Sequence, residues 1–242
     1  MRDKKAPRVL VVDDDRDILD LLNYNLWKEG YKVKVVEEST KAVQAACLFH
    51  PDLIVLDLMM PHPNGIEICR ELRNLKEFET VFIFFLTAKS EPYYQQAAFS
   101  SGADDYIEKI MGLRSLTQKI SAVLKRNFVI RKSESQVTVG NLTLERKGYV
   151  ARINGLAVLL TRTEFELLFF ILQNKRKALN RSALLKYLWG SDVFLSDTTL
   201  ESHISNIAQK VGYPLIHLNE GGYVELHVQD SSRNSNTWAS SS

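Results

Sequence analysis

Residues 51–65, PDLIVLDLMMPHPNG, decide the fold. Pro51 and Asp52 lead into a run, residues 53–56, that is apolar at every position, as in a strand buried on both faces. The run ends on a carboxylate, Asp57. Met59 and Met60 follow, then a turn made of Pro61, Pro63, Asn64 and Gly65. An unpaired buried carboxylate is costly, so Asp57 needs a reason to stand there. In open parallel α/β sheets, ligands bind just beyond the carboxyl ends of the strands.

The same arrangement recurs on either side. RVLVV (8–12) runs into Asp13, Asp14 and Asp15. Ile18, Leu19, Leu21, Leu22 and Leu26 have helical spacing that stops at Gly30. Residues 32–36 alternate polar and apolar, as a more exposed strand does. Ser39 or Thr40 is expected to cap a helix through Leu48. Residues 66–75 read as a helix, and VFIFFL (81–86) as a buried strand that ends in Thr87. A helix over about 93–101 leads to Gly102, and a short strand, 105–108, ends in Lys109. Residues 113–124 form an amphipathic helix with a basic end at Lys125 and Arg126, which suits the helix dipole.

Five strands alternating with five helices predict a doubly wound parallel sheet. Asp13, Asp14, Asp57, Thr87 and Lys109 then share one sheet edge. Taken singly, such residues are usually caps, turns or solvated charges. Taken together, three carboxylates make a hard oxygen site suited to Mg²⁺. One carboxylate can attack a phosphoryl group, while a metal, a hydroxyl and an ammonium stabilise its oxygens.

VLVVDDD, PDLIVLDLMMP with Gly65 behind it, FLTA and GADDYIEK resemble the receiver domain of bacterial two-component response regulators, nearly without gaps over residues 8–126. The resemblance implies a flavodoxin-like sheet and phosphoryl transfer to Asp57 from a histidine kinase. It implies Mg²⁺ on Asp13, Asp14, Asp57 and the main-chain carbonyl of Met59, phosphoryl oxygens on Thr87 and Lys109, and Tyr106 as an aromatic switch. Two positions depart from the pattern. Ile110 stands where the family has a proline behind a cis bond. The bond is therefore either cis at a cost of about 2.5–4 kcal/mol or trans with a different lysine approach, and altered phosphorylation kinetics are expected. The helix EPYYQQAAFSSG offers Gln95, Gln96 and Ala97 where relatives pair charges across a receiver dimer. Asp105 and Lys119 remain available to pair there.

Residues 127–136 (NFVIRKSESQ) read as a linker. Beyond it the pattern changes to short strands over 137–144, 149–153 and 157–160, with Asn154-Gly155 as a hairpin signal. Thr161 or Thr163 is expected to cap an apolar helix over 164–172, and Thr163 with Glu166 fits a capping box. Lys175, Arg176 and Lys177 make a basic turn. A second helix starts at Asn180 or Arg181 and runs from there to Trp189, and Gly190 ends it. A third helix, about 198–211, is capped by Ser196 or Asp197, and a Gly221-Gly222 hairpin closes the order. Leu200, Ile204, Ile207 and Val211 stripe one face of the third helix. The other face carries Thr199, Ser202, Ser205, Asn206 and Gln209, groups able to read base edges or to face solvent.

This order resembles the winged helix-turn-helix effector of the OmpR/PhoB family, over about residues 137–228. The resemblance implies that Glu201, Ser202 and Asn206 face bases, that Thr199, His203, Ser205 and Lys210 lie near phosphates or the groove wall, and that Glu220-Gly221-Gly222-Tyr223 is the wing. Relatives carry more arginine and lysine here. With Asn206, Ala208 and Gln209 in the helix and Glu220 at the wing, weaker DNA binding with a flatter salt dependence is expected. Lys175, Arg176, Lys177 and Arg181 are available to compensate.

The bulk numbers fit this organisation. A chain of 242 residues, 45% hydrophobic and 25% charged, holds one or two domains. A net charge of +2 neither announces nor excludes nucleic acid. There is no apolar signal core and no run of the roughly eighteen apolar residues that a membrane span needs. Cys47 and Cys69 read as reduced thiols of a cytosolic protein. The expected division is a receiver at 1–127, a linker at 128–136, a winged-helix domain at 137–230 and a low-complexity, disordered tail at 231–242 that contains Trp238. The reading is a cytoplasmic, phosphorylation-controlled transcription regulator, not an enzyme. Its expected partners are a sensor histidine kinase, promoter DNA, RNA polymerase and, when phosphorylated, a second copy. The alternative is a receiver with a degenerate effector that acts mainly through protein contacts. An aspartyl-phosphate phosphatase would need a second aspartate where Met59 stands.

Overall fold

The structure is a computed structural model that describes residues 6–88, 91–126, 135–175, 177–190, 197–212 and 215–226. The tail, Arg176 and most of the linker lie outside these, as does the Ser196 cap. In the first half β1 (Arg8–Val12), β2 (Lys32–Val36), β3 (Leu53–Asp57), β4 (Phe82–Thr87) and β5 (Asp105–Glu108) form one parallel sheet in the order β2-β1-β3-β4-β5. The helices between them are α1 (Arg16–Lys28), α2 (Ala42–Phe49), α3 (Gly65–Arg73) and α4 (Pro92–Ser100), and α5 (Gly112–Arg126) follows β5. Every residue of β3 and β4 is buried, which accounts for their unbroken apolar runs. The strand order reverses between β1 and β3, the switch point at which α/β sheets open a crevice. Asp13 follows one of these strands and Asp57 ends the other.

One helix cap of the receiver differs from expectation. Ser39 does not cap α2; it sits in a 3-10 turn, and its hydroxyl donates to the Pro61 carbonyl at 3.0 Å. That bond ties the β2–α2 connection to the turn behind Asp57. The α3 cap is Asn64, which with Glu67 forms a reciprocal capping box. Gly65 then packs directly on the strand: a Cβ placed there would stand 2.2 Å from the Asp57 carbonyl oxygen and 2.9 Å from Phe85 Cε1. We expect Gly65→Ala to push α3 off β3 and destabilise the receiver by about 1–3 kcal/mol, as overpacking does. Urea unfolding monitored by circular dichroism measures this, and an unchanged midpoint would refute it.

The second half opens with an antiparallel meander, β6 (Gln136–Val139), β7 (Leu142–Glu145), β8 (Val150–Ile153) and β9 (Leu156–Val158). The single strand expected over 137–144 is split, because Gly140, at φ 58°, turns the chain between β6 and β7. Asn154 and Gly155 both have positive φ, 51° and 82°, the requirement of a type I′ hairpin. Three helices follow: α6 (Arg162–Gln173), α7 (Arg181–Trp189) and α8 (Asp197–Val211). Thr161 caps α6, and its capping-box partner is Glu164; the expected Thr163–Glu166 box is shifted by two residues. Asn180 caps α7. The hairpin of β10 (Ile216–Leu218) and β11 (Val224–Leu226) is antiparallel and is bonded to the α7 start through Arg181 N to Gly222 O and Val224 N to Leu179 O. Leu200, Ile207 and Val211 bury the inner stripe of α8 in the core, and Ile204 packs on it partly buried.

The two halves meet closely. α4 lies against α8 and α5 against α7. One apolar cluster extends from Phe84, Leu116 and Ile120 of the receiver to Phe165, Leu168 and Trp189 of the effector.

Candidate phosphoryl site and the seam it faces

Asp13, Asp14 and Asp57 each present a carboxylate oxygen within 4.8 Å of the others; Asp13 and Asp57 are buried and Asp14 is exposed. β1 and β3 are adjacent and in register, so their carboxyl ends bring these side chains together. Lys109, from the far edge of the sheet, closes the group: its Nζ lies 2.8 Å from Asp13 Oδ2 and 2.9 Å from Asp57 Oδ1. Asp57 Oδ2 accepts from Met59 N at 2.8 Å, and Asp13 Oδ1 accepts from Asp15 N at 3.0 Å. Burial raises the Asp13 pKa even though Lys109 holds it down. Burial works against the Lys109 ammonium, but its bonds to Asp13 and Asp57 outweigh that, and its pKa is raised. One ammonium thus balances two carboxylates at close range, which leaves a net negative, oxygen-lined site. Asp13 Oδ2 is met by the Lys109 ammonium and, among the described residues, by no other donor. An acidic oxygen set with such a buried, under-used acceptor fits a hard divalent cation.

The lysine reaches this position without a cis bond. Among the described residues the only cis peptide is His62–Pro63, so Lys109–Ile110 is trans, and Ile110 points into solvent at 89% exposure. Lys109–Met111 form a 3-10 turn that takes the place of the family's proline corner. Thr87, the last residue of β4, is buried, and a hydrogen bond joins its hydroxyl to that of Tyr106. Tyr106 is itself buried, and this drives its phenol pKa up to about 12. Thr87 and Tyr106, the pair expected to act together as a switch, are therefore already joined.

The effector-helix residues fall into two groups. Glu201 and Ser205 are exposed, and Ser202 and Asn206 are partly so. Thr199 and His203 are wholly buried, so they do not lie on an open groove-facing surface. His203 Nε2 bonds the Asp104 carbonyl at 3.0 Å, and its ring packs edge-on against Phe99 with centroids 5.0 Å apart. Asn206 Nδ2 donates to the Phe99 carbonyl at 3.0 Å. Lys210 pairs with Glu164 at 2.6 Å. Arg181, a candidate to compensate for missing basic residues, is bound by both oxygens of Glu201. A cavity of about 520 Å³ remains between the helices, where Gln95 and Gln96 of α4 face Ser202, Ser205 and Gln209 of α8.

Asp104 anchors this seam, and sequence reasoning missed it. It is fully buried, and its Oδ2 accepts from Arg73 Nη2 at 2.7 Å and from Ile83 N at 3.0 Å. Its Oδ1 accepts from Thr163 N at 3.0 Å, in the first turn of α6, where a helix favours an anion. The legible signal was GADDY itself, which carries two adjacent carboxylates that the phosphoryl site does not use. The second, Asp105, pairs with Lys119 of its own chain at 2.8 Å, both of them buried, and is not held open for a partner.

Sheet, acidic edge and winged helix together define a receiver joined to a helix-turn-helix effector. Comparison with known proteins agrees on both halves. Residues 9–121 match the response regulator receiver domain, and residues 155–224 match the family described as transcriptional regulatory protein, C terminal. The chain is 35% identical over 213 residues to the alkaline phosphatase synthesis transcriptional regulatory protein PhoP of Bacillus subtilis, covering 84% of this chain and 88% of that one. It is also 35% identical over 223 residues to the response regulator MprA of Mycobacterium avium, at 90% and 97% coverage. In fold it resembles a mutant of RitR in which a cysteine is replaced by serine, with a TM-score of 0.73 at 23% identity, covering 93% of this chain and 100% of that one. The chain belongs to the OmpR/PhoB-type response regulators and is a DNA-binding transcriptional regulator. These matches favour that role over the protein-contact alternative. Among the described residues no helix is long and apolar enough to cross a membrane.

Proposed function

We propose that Asp57 accepts a phosphoryl group from a sensor histidine kinase and that this charge governs promoter binding by α8. The observation that carries the reading is the single Lys109 ammonium held between Asp13 and Asp57 at the switch point of the sheet. A carboxylate oxygen of Asp57 forms the new bond to phosphorus, and the phosphorus–nitrogen bond of the kinase's phosphohistidine breaks. Mg²⁺, held by Asp13, Asp14, Asp57 and the main-chain carbonyl of Met59, supplies charge neutralisation at the transferring oxygens when bound. Lys109 stays within reach of the product oxygens, and the Thr87 hydroxyl turns from Tyr106 to donate to one of them.

The effect on DNA follows from the seam. α4 lies alongside the face of α8 that carries Glu201, Ser202, Ser205 and Asn206. The major groove is about 12 Å wide and admits one helix, so α8 cannot enter it with α4 attached. Rearrangement at Thr87 and Tyr106, next to Asp105 and Asp104, loosens this seam. The freed α4, β5 and α5 surface then pairs with a second phosphorylated copy, and two effectors occupy paired half-sites. His203, held on Phe99 and Asp104, reaches a phosphate only once the domains part, and Thr199 and Lys210 are further phosphate contacts of that helix. RNA polymerase is the downstream partner, and the setting is the cytoplasm. Binding to genomic fragments, titrated over a salt series with and without beryllofluoride and Mg²⁺, tests this. Specific binding tightened by the mimic is the expected result. Equal, sequence-indifferent binding in both conditions would overturn it.

A further inference from the structure

Among the titratable groups at the seam that the phosphoryl mechanism does not use is a histidine of α8, His203. His203 is completely buried. Two of its neighbours belong to the receiver: the Phe99 ring, and the Asp104 carbonyl that Nε2 contacts. The third is Trp189 of α7, 5.9 Å away between centroids. A carbonyl can only accept, so Nε2 carries the proton and Nδ1 is the lone-pair nitrogen. Nδ1 is buried and has no hydrogen-bond partner.

We propose that His203 is a proton-sensitive latch: the domains close on the neutral imidazole, and its protonation releases α8 from the receiver. This rests on α8 being the DNA-reading helix, and it adds a second input to that control. A proton placed on Nδ1 in the closed form has no acceptor and adds a charge between two aromatic rings. The charged groups facing the ring are ion-paired elsewhere, and Nδ1 bonds none of them, Glu164 Oε1 included, which is itself buried without a hydrogen bond. Asp104 from the receiver is paired with Arg73, Asp105 with Lys119, and Glu164 of α6 with Lys210 of α8 itself. α4 and α7 present the rings of Phe99 and Trp189. Each carboxylate already has its own cation, and burial outweighs their residual pull, so the His203 pKa is lowered in the closed chain. When the domains part, the ring loses Phe99 and Asp104 and returns toward the ordinary imidazole range near 6.5.

The sign follows from that difference. The closed form holds fewer protons, so it is favoured at high pH and loses ground as pH falls through the open-state value. If the closed ring stays neutral from pH 7.5 to 5.5, the open-to-closed ratio rises about tenfold. The test is small-angle X-ray scattering of the full chain across that range, without DNA, alongside His203→Gln. Glutamine keeps a donor for the Asp104 carbonyl and does not titrate. Expansion in the wild type at pH 5.5 and a flat response in the variant are expected. An equal response in both, or none in the wild type, would overturn the latch. Should the variant stand open at every pH, ¹⁵N imidazole spectra of the wild type decide. The Nε2–H tautomer at pH 7.5, protonated together with expansion, supports the latch, and protonation without expansion refutes it. A beryllofluoride arm at pH 7.5 separates the two inputs. Opening by the mimic but not by acid removes the latch and leaves phosphoryl control intact, and the reverse result does the opposite.

Discussion

Asp57→Asn is expected to abolish phosphoryl uptake from a histidine kinase or from a small acyl or amido phosphate, a loss of signal and not a slowing. An amide has no anionic oxygen to attack phosphorus and cannot form the mixed anhydride. The fold should survive the change. Asn is nearly isosteric, and its carbonyl can still accept from Met59 N, as Asp57 Oδ2 does at 2.8 Å. What remains is a one-to-one pair between Lys109 and Asp13, so divalent-cation affinity should fall as well, because one of three carboxylates is gone. Phosphate-affinity electrophoresis with radiolabelled donor measures the first effect. Cation-dependent quenching or chemical-shift change measures the second. Residual labelling of the variant above background would place the acceptor elsewhere. DNA affinity in the variant should be the same with and without donor, since nothing remains to convey the signal.

The receiver was legible in the sequence because three of its strands, β1, β3 and β4, are short apolar runs that stop at a residue with chemistry. β3 and β4 are buried throughout, so nothing interrupts the run before Asp57 or Thr87. The acidic cluster could be read for the same reason: parallel strands place their ends on one edge. Helix caps were less secure. Thr161 and Thr163 are two residues apart, each with a glutamate three positions on, and only the packing of α6 onto the receiver chooses between them. The break at Gly140 was hidden by apolar residues on both sides. The seam left one direct mark in the sequence, the unused carboxylates of GADDY. Pairing across it depends on main-chain groups, the carbonyls of Phe99 and Asp104 and the amide of Thr163, which no side-chain pattern records. In hindsight, the missing arginines of α8 and α4 mark the place. Imidazole, amide and aromatic groups suit a fixed, buried contact better than a row of cations would. One lack thus accounts for two departures from the family pattern.

Asp104→Ala is expected to have the largest structural effect, and to divide it between the receiver and the seam. The carboxylate is fully buried and satisfies three donors: Arg73 Nη2, Ile83 N and Thr163 N. Removing it strands the Arg73 guanidinium, whose other nitrogens already serve the carbonyls of Gly102, Phe78 and Val81. Breaking a buried ion pair in this way costs about 3–5 kcal/mol. In a domain of this size that lowers the receiver melting temperature by roughly 10–20 °C. The Thr163 amide, in contrast, lies on the effector, and its loss acts on closure alone. Asp104→Asn tells the two apart. An amide oxygen can keep one of the backbone donors, but it offers Arg73 no charge, so the receiver weakens while part of the seam is retained. Calorimetry reports the first effect, and protease sensitivity of the linker region reports the second. The alanine variant should melt early and be cut fast, and the asparagine variant should melt early and be cut more slowly. If the alanine variant is cut no faster than the wild type, Asp104 is not the anchor of this seam, and the contacts of His203 and Asn206 hold α8 in place.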